Sequence, residues 1–194
     1  LDVARMTGEL TAEGEEARRR WEDARDAIAV HKKYGGLAVS PQMGLLPIGP
    51  DPVSGLWEFW HVQSGAEPMR GGDGRLLITE NSGLVLVLIP GGPFWMGAQG
   101  TDPAAMNYDV QAGSGEGPVH AVILSHYFIS KYEMTQGQWE RFVGRNPSFF
   151  GGGLIHPVEQ VSWFEAKIAV ERMGLELPSE AQWEFAARAG TGTP

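Results

Sequence analysis

From Glu15 to Val30 the apolar residues Ala17, Trp21, Ala24 and Ile28 recur at steps of four, three and four, with charged residues filling most of the intervals. That spacing gathers the four apolar side chains on one face of an α-helix. Glu15 and Glu16 stand four residues before Arg19 and Arg20, which adds favourable pairs on the solvent side. The pattern predicts one amphipathic helix, closed near Gly35 and Gly36. A coiled-coil link to an upstream domain would need more than the barely two heptads that fit, so packing on the chain that follows is the preferred reading.

Residues 37 to 80 have no such period. Pro41, Pro47, Pro50, Pro52 and several glycines cut the stretch into short apolar pieces such as Leu56 to Val62, the pattern of turns and short strands. Gly71 to Gly74 is a hairpin-turn signal ahead of Arg75 to Thr79. Leu84 to Ile89 is wholly aliphatic and bounded by Asn81-Ser82-Gly83 and Pro90-Gly91-Gly92, which predicts a strand buried on both faces. A second strand pair is expected within Val119 to Ser130, and a long surface loop over residues 99 to 118.

Three helix starts follow, each built in the same way. Thr135 precedes Gln138, Ser162 precedes Glu165 and Ser179 precedes Gln182, so each can form a reciprocal capping box. The helices are expected to bury Trp139 and Phe142; Ala166, Ala169 or Val170 with Met173; and Trp183 with Ala186 and Ala187. Trp139, Trp163 and Trp183 are read as core plugs, and Gly144, Gly174 and Gly190 as stops. Strands first and short helices afterwards, without a strand-helix alternation, define an α+β class.

Composition narrows the chemistry. A net charge of -9 over 194 residues would repel a phosphate backbone, which excludes nucleic acid as the expected partner. No cysteine is present, so the chain offers no disulfide, thiolate metal site or thiol nucleophile. No apolar run approaches the roughly 20 residues of a membrane span, and no secretory signal opens the sequence. The first residue is Leu1, from which a missing natural N-terminus is expected.

The residues contain no P-loop, dinucleotide fingerprint, nucleophile elbow or paired-histidine zinc helix. Of the five histidines, His31, His61, His120, His126 and His156, only His120 and His126 are close in sequence. On one extended strand they would lie about 20 Å apart, too far to share an ion. All five are read as structural or surface residues. Asp102, Asn107, Asp109 and Glu116 offer oxygens to calcium without matching a known calcium loop, and a solvated loop is preferred. Trp57, Phe59 and Trp60 could stack on a sugar or peptide, though burial against a sheet is the simpler use. Glu180 and Glu184 resemble an acid-base pair, yet their place in a first helical turn and the spacing of Glu184 to Arg188 suit dipole and ion-pair roles.

Residues 85 to 194 resemble the formylglycine-generating enzyme (sulfatase-modifying factor) family. The blocks that carry the resemblance are Val87-Leu88-Ile89-Pro90-Gly91-Gly92-Pro93-Phe94-Trp95-Met96-Gly97, Glu116 to His120, Phe128 to Gln136 with Trp139, Asn146-Pro147-Ser148 with His156 to Trp163, and Leu177 to Gly190. Met134, Ser179 and Phe185 stand where valine, threonine and tyrosine are usual in the family. The resemblance implies a C-type-lectin-like fold, of which this chain would be the N-terminal half. It also implies the family's activity, oxidation of a peptidyl cysteine to formylglycine with molecular oxygen. Copper, on two cysteines, and calcium are implied only for the complete family domain; no catalytic, cofactor-binding or metal residue is expected in this chain.

The segment Gly35 to Phe59 is similar to what precedes such domains in multidomain bacterial proteins, sometimes after a protein kinase. The expected organisation is therefore residues 1–36 as helix and linker from an upstream fused domain, 37–84 as a turn-rich pre-domain segment, and 85–194 as the family half-domain. A non-catalytic module binding a protein or peptide ligand, such as a retroelement-diversified variable protein, is the alternative to an oxidase. A sulfoxide synthase of thiol-histidine biosynthesis is set aside, because residues 1–84 hold only His31 and His61. A soluble protein off the membrane is expected; its compartment stays open, with the cytoplasm favoured.

Overall fold

In the computed structural model the described residues are Gly8, Thr11 and 14–191, so the rest of the predicted 1–36 segment before position 14, and positions 192–194, lie outside them. The predicted helix is present as α1, Glu15–Val30, and buries Ala17, Trp21, Ala24 and Ile28. A 3-10 turn, Lys32–Tyr34, follows it and ends on Gly35 in the left-handed region.

Eight strands succeed it: β1 (Leu45–Pro50), β2 (Trp57–His61), β3 (Met69–Arg70), β4 (Leu76–Leu77), β5 (Val85–Ile89), β6 (Gly92–Met96), β7 (His120–Leu124) and β8 (Tyr127–Ser130). Three helices close the order: α2 (Gln136–Val143), α3 (Trp163–Arg172) and α4 (Glu180–Arg188). Antiparallel sheets beside separate helices make the chain an α+β protein.

The described residues form two compact units: the chain up to Leu88 with Phe128–Leu177, and Ile89–Tyr127 with the chain from Pro178 onward. In the first, a four-stranded sheet has the order β1-β2-β5-β8. β1 carries Pro47 and Pro50 and a register shift between Pro47 and Gly49, which an edge strand tolerates because its outer amides need no partner. β5 lies inside the sheet with Val85 to Leu88 buried, as an aliphatic run requires. Trp21 of α1 packs on Phe59 of β2 at 5.3 Å, and Phe59 meets Phe128 of β8 edge-on at 5.0 Å. Ile28, Tyr34, Leu45, Leu86 and Leu88 complete this core. The Tyr34 hydroxyl bridges two strands, donating to Leu88 O at 3.0 Å and accepting from Trp57 N at 2.8 Å.

In the second unit β6 pairs antiparallel with β7, Gly92 opposite Leu124 through Met96 opposite His120. Phe185 of α4 meets Phe94 at 5.1 Å, and the Tyr127 hydroxyl donates to Gln182 O at 2.7 Å. The turn before β6 requires glycine. Gly91 has φ +72°, and a Cβ there would stand 2.5 Å from Leu124 O.

All three capping boxes form, with Thr135, Ser162 and Ser179 each accepting from the third helical amide. The Gly71–Gly74 turn joins β3 to β4 as expected. Other expectations need correction. Val119–Ser130 does hold two strands, but they do not pair with each other: β7 pairs with β6, while β8 joins β5. Helix α4 ends on Ala189 in the left-handed region, one residue ahead of the predicted Gly190. Of the three tryptophan plugs only Trp139 is buried, at 2% exposure; Trp163 is 60% and Trp183 62% exposed. Helix α4 has no buried residue, so Trp183, Ala186 and Ala187 are not core, and α3 itself buries only Ala169, ahead of the buried Met173 at its C-cap. The physical reason is that among the described residues no element covers those helix faces.

Candidate functional site

The histidines are dispersed. His120 lies on β7 and accepts or donates at Pro118 O, 2.8 Å away, whereas His126 sits in the connection to β8, so the two do not share a strand. His31 Nδ1 accepts from Lys33 N, and His156 is exposed. His61, at the end of β2, is 2% exposed and donates from Nε2 to Met173 O at 3.1 Å. Its Nδ1 is buried without a partner. Burial pushes the imidazole below the ordinary histidine value, and the bond to Met173 O opposes this only in part.

The other sequence candidates serve local structure. Phe59 is fully buried and Trp57 and Trp60 half-buried, with Trp60 Nε1 donating to Gly65 O at 3.0 Å. Asp102 and Asp109 cap turns of the 99–118 loop, and Asn107 donates from Nδ2 to Trp95 O and Gly97 O. Glu184 accepts from Gly97 N at 2.8 Å and pairs with Arg188 Nε at 2.7 Å, the predicted ion pair plus a tie to the loop. Glu180 is exposed. Among the described residues no group of three histidine, cysteine or acidic side chains is placed to hold a metal ion.

One charged cluster escaped sequence reading. Glu58, central in β2 and fully buried, pairs with Arg70 at 2.7 Å and with Lys131, and Lys131 also meets Asp51 at 2.7 Å. Burial would raise the Asp51 carboxyl, but the Lys131 ammonium and the Ser54 and Val53 donors outweigh it and hold it well below the usual carboxylate range. Arg70 spends its remaining donors on Ile48 O, Gly49 O and Gly74 O. Every charge in the group is answered, so the cluster locks strands and leaves no open valence for a substrate. The single isolated Glu in Trp57-Glu58-Phe59 gives a weak hint of it, since an acid between two core aromatics must find buried cations.

The surface features that remain are aromatic. Asn146 donates to Gln136 Oε1 at 2.8 Å, Gln136 Nε2 donates to Phe150 O at 3.0 Å, and Glu159 accepts the amides of Phe149 and Phe150. These bonds hold Phe149 and Phe150 outward, 78% and 67% exposed, as an edge-to-face pair at 5.3 Å. On α3, Trp163 and Phe164 form a second such pair at 5.2 Å. Beside Trp163 opens a cleft of about 570 Å³ lined by Lys167, Glu171, Gly174, Leu175, Glu176 and Leu177. None of these groups has the makings of a nucleophile and base pair.

A turn-rich α+β scaffold with capped helices, open aromatic faces and no reaction centre of its own is thus what the described residues form. The Sulfatase-modifying factor enzyme 1-like domain model matches residues 79–193, more than half of the chain, and the chain belongs to that family. It is 30% identical over 155 residues to the formylglycine-generating enzyme of Thermomonospora curvata, a match spanning 54% of this chain and 49% of that one. A serine/threonine-protein kinase pkn1 of Chlamydia pneumoniae is 30% identical over 130 residues, covering 54% of this chain and 19% of the kinase. The inactive C-alpha-formylglycine-generating enzyme 2 of Bos taurus is 27% identical over 206 residues, covering 80% of this chain and 58% of that protein. The chain therefore spans about half, or less, of the length of most of these relatives.

Proposed function

We propose that this chain is the scaffold portion of a formylglycine-generating domain with a C-type-lectin-like fold, whose complete form oxidises a cysteine in a protein or peptide substrate. The family match over residues 79–193 carries the reading. It is supported by the way the motif blocks fold: the Pro90-Gly91-Gly92 turn, the three capping boxes and the buried Trp139 each have a structural reason to be what they are. Residues 85–194 then form the half-domain, with 37–84 as the lead-in and the helix of 1–36 as the connection to an upstream fused domain.

Copper held by two cysteines does not fit the residues present, because the chain has none, and no step of the oxidation is assigned to its side chains. Calcium is likewise placed in the complete domain rather than here. A second reading, a non-catalytic module that binds a protein ligand, is favoured by the 80% of this chain that aligns with a bovine relative described as inactive. The two readings separate in one assay. A complete domain containing this chain, given copper, oxygen and a cysteinyl sulfatase peptide, should convert the thiol to the aldehyde by mass spectrometry; an unchanged peptide mass removes the oxidase reading.

A further inference from the structure

Phe149, Phe150, Trp163 and Phe164 are 78%, 67%, 60% and 71% exposed, and Ile168, one turn on from Phe164 along α3, is 50% exposed. The two ring pairs sit on segments bonded to one another. Arg145 pairs with Glu165 at 2.6 Å, Glu159 N donates to Ser148 Oγ at 3.2 Å, and Phe150 N donates to Glu159 Oε1 at 2.9 Å. Four rings held this way expose on the order of 500 Å² of ring surface, the size of patch that marks an interaction site in a soluble protein. The backbone beneath them is already hydrogen-bonded, so a partner would find the rings arranged in advance and lose little freedom in binding them.

The charges around the patch indicate what it receives. Arg145 is answered by Glu165 and Lys167 by Glu171 at 3.7 Å, so the flanks are neutralised in pairs and present no single-sign field. A charged ligand has nothing to recognise there, and an apolar polypeptide surface does. A second copy of the chain would bring its own net charge of -9 against the same charge, which opposes association. Meanwhile the matched stretch leaves 51% of the Thermomonospora curvata enzyme outside the alignment, the complement of the 49% aligned. We infer that the Phe149/Phe150 and Trp163/Phe164 platform is the docking surface for the remaining half of a sulfatase-modifying-factor domain, seated as a core-like apolar interface rather than as a ligand site. The inference rests on membership of the family and is independent of whether the complete domain is an oxidase.

The test combines the 194-residue chain with a separately produced polypeptide comprising the part of the Thermomonospora curvata enzyme outside the match, with mass read by light scattering and affinity by titration calorimetry. A one-to-one complex is expected. Phe149→Ser with Phe164→Ser, or Trp163→Ser alone, should weaken it by about tenfold or more, as loss of central aromatic anchors does. Val53→Ser, at a residue 76% exposed elsewhere in the same unit, should not. Far-ultraviolet circular dichroism of each variant confirms that these surface changes leave the fold intact. No complex, or one indifferent to the aromatic substitutions, overturns the inference. So does a homodimer of this chain that the same substitutions dissolve, which would make a second copy the occupant. Because the readout is mass and affinity, failure here leaves the thiol-conversion assay to judge the oxidase reading separately.

Discussion

His61 shows how a polar residue can be fixed by its surroundings rather than by a reaction. With Nε2 committed to Met173 O and Nδ1 buried and unpartnered, the folded ring resists a second proton. The unfolded chain takes that proton up near the ordinary value of about 6.5. Between that value and the lower folded one, the unfolded state binds more protons, so stability falls as the pH drops below about 6.5 and is retained above it. His61→Gln keeps an amide donor for Met173 O and cannot titrate. Urea unfolding across pH 7.5 to 5 should lose a slope of up to about 1.4 kcal/mol per pH unit in that variant; an unchanged slope would show that His61 is not the titrating group.

Glu58 makes the opposite case, a buried charge held by two cations. Glu58→Leu would leave Arg70 and Lys131 beside each other without their shared carboxylate, at a cost of about 3 kcal/mol, the low end for a broken buried pair because both cations keep some solvent. Chemical denaturation measures it, and a neutral or stabilising result would mean the cluster relaxes into water. Asp51 adds a separate acid sensitivity: its depressed carboxyl contributes stability above the usual carboxylate range of about 4, lost as the pH falls through its lower folded value.

At the level of elements, what could be read from the sequence was whatever depends on near neighbours. The capping boxes, the α1 stripe of Ala17, Trp21, Ala24 and Ile28, and the glycine turn between β3 and β4 are all decided within a few residues, and all are present. Strand partnership depends on distant chain, which is why the pairing of β7 with β6 rather than β8 was not visible. The Glu58 cluster was hidden for the same reason, since Asp51, Arg70 and Lys131 come from three separate segments. Trp163 and Trp183 show a further limit. Helical spacing says that a side chain shares a face with others, and cannot say whether anything lies opposite that face.

Two substitutions check the element-level account. Thr135 is 7% exposed, so Thr135→Ala should cost about 1–2 kcal/mol through its lost cap, whereas Ser162→Ala, at an exposed helix start, should cost about 0.5–1 kcal/mol. Ala189 ends α4 at φ +47°, a conformation that disfavours a Cβ by roughly 1 kcal/mol. Ala189→Gly should therefore raise stability by about that amount in thermal unfolding, and a loss instead would show that the helix does not end there.

For the molecule as a whole, no helix among the described residues is long and apolar enough to cross a membrane. The family is evident from blocks that are structural in nature, while the chemistry of the family has no foothold in a chain without cysteine. The central claim is that these residues form a scaffold whose interior is complete around Trp21 and Trp139 and whose faces at Trp163 and Trp183 are open. Hydroxyl-radical footprinting of the 194-residue chain, read tryptophan by tryptophan by mass spectrometry, tests it most directly. The account predicts rapid modification of Trp163 and Trp183 with Trp21 and Trp139 protected; protection of Trp163 and Trp183 equal to that of Trp139 would contradict it.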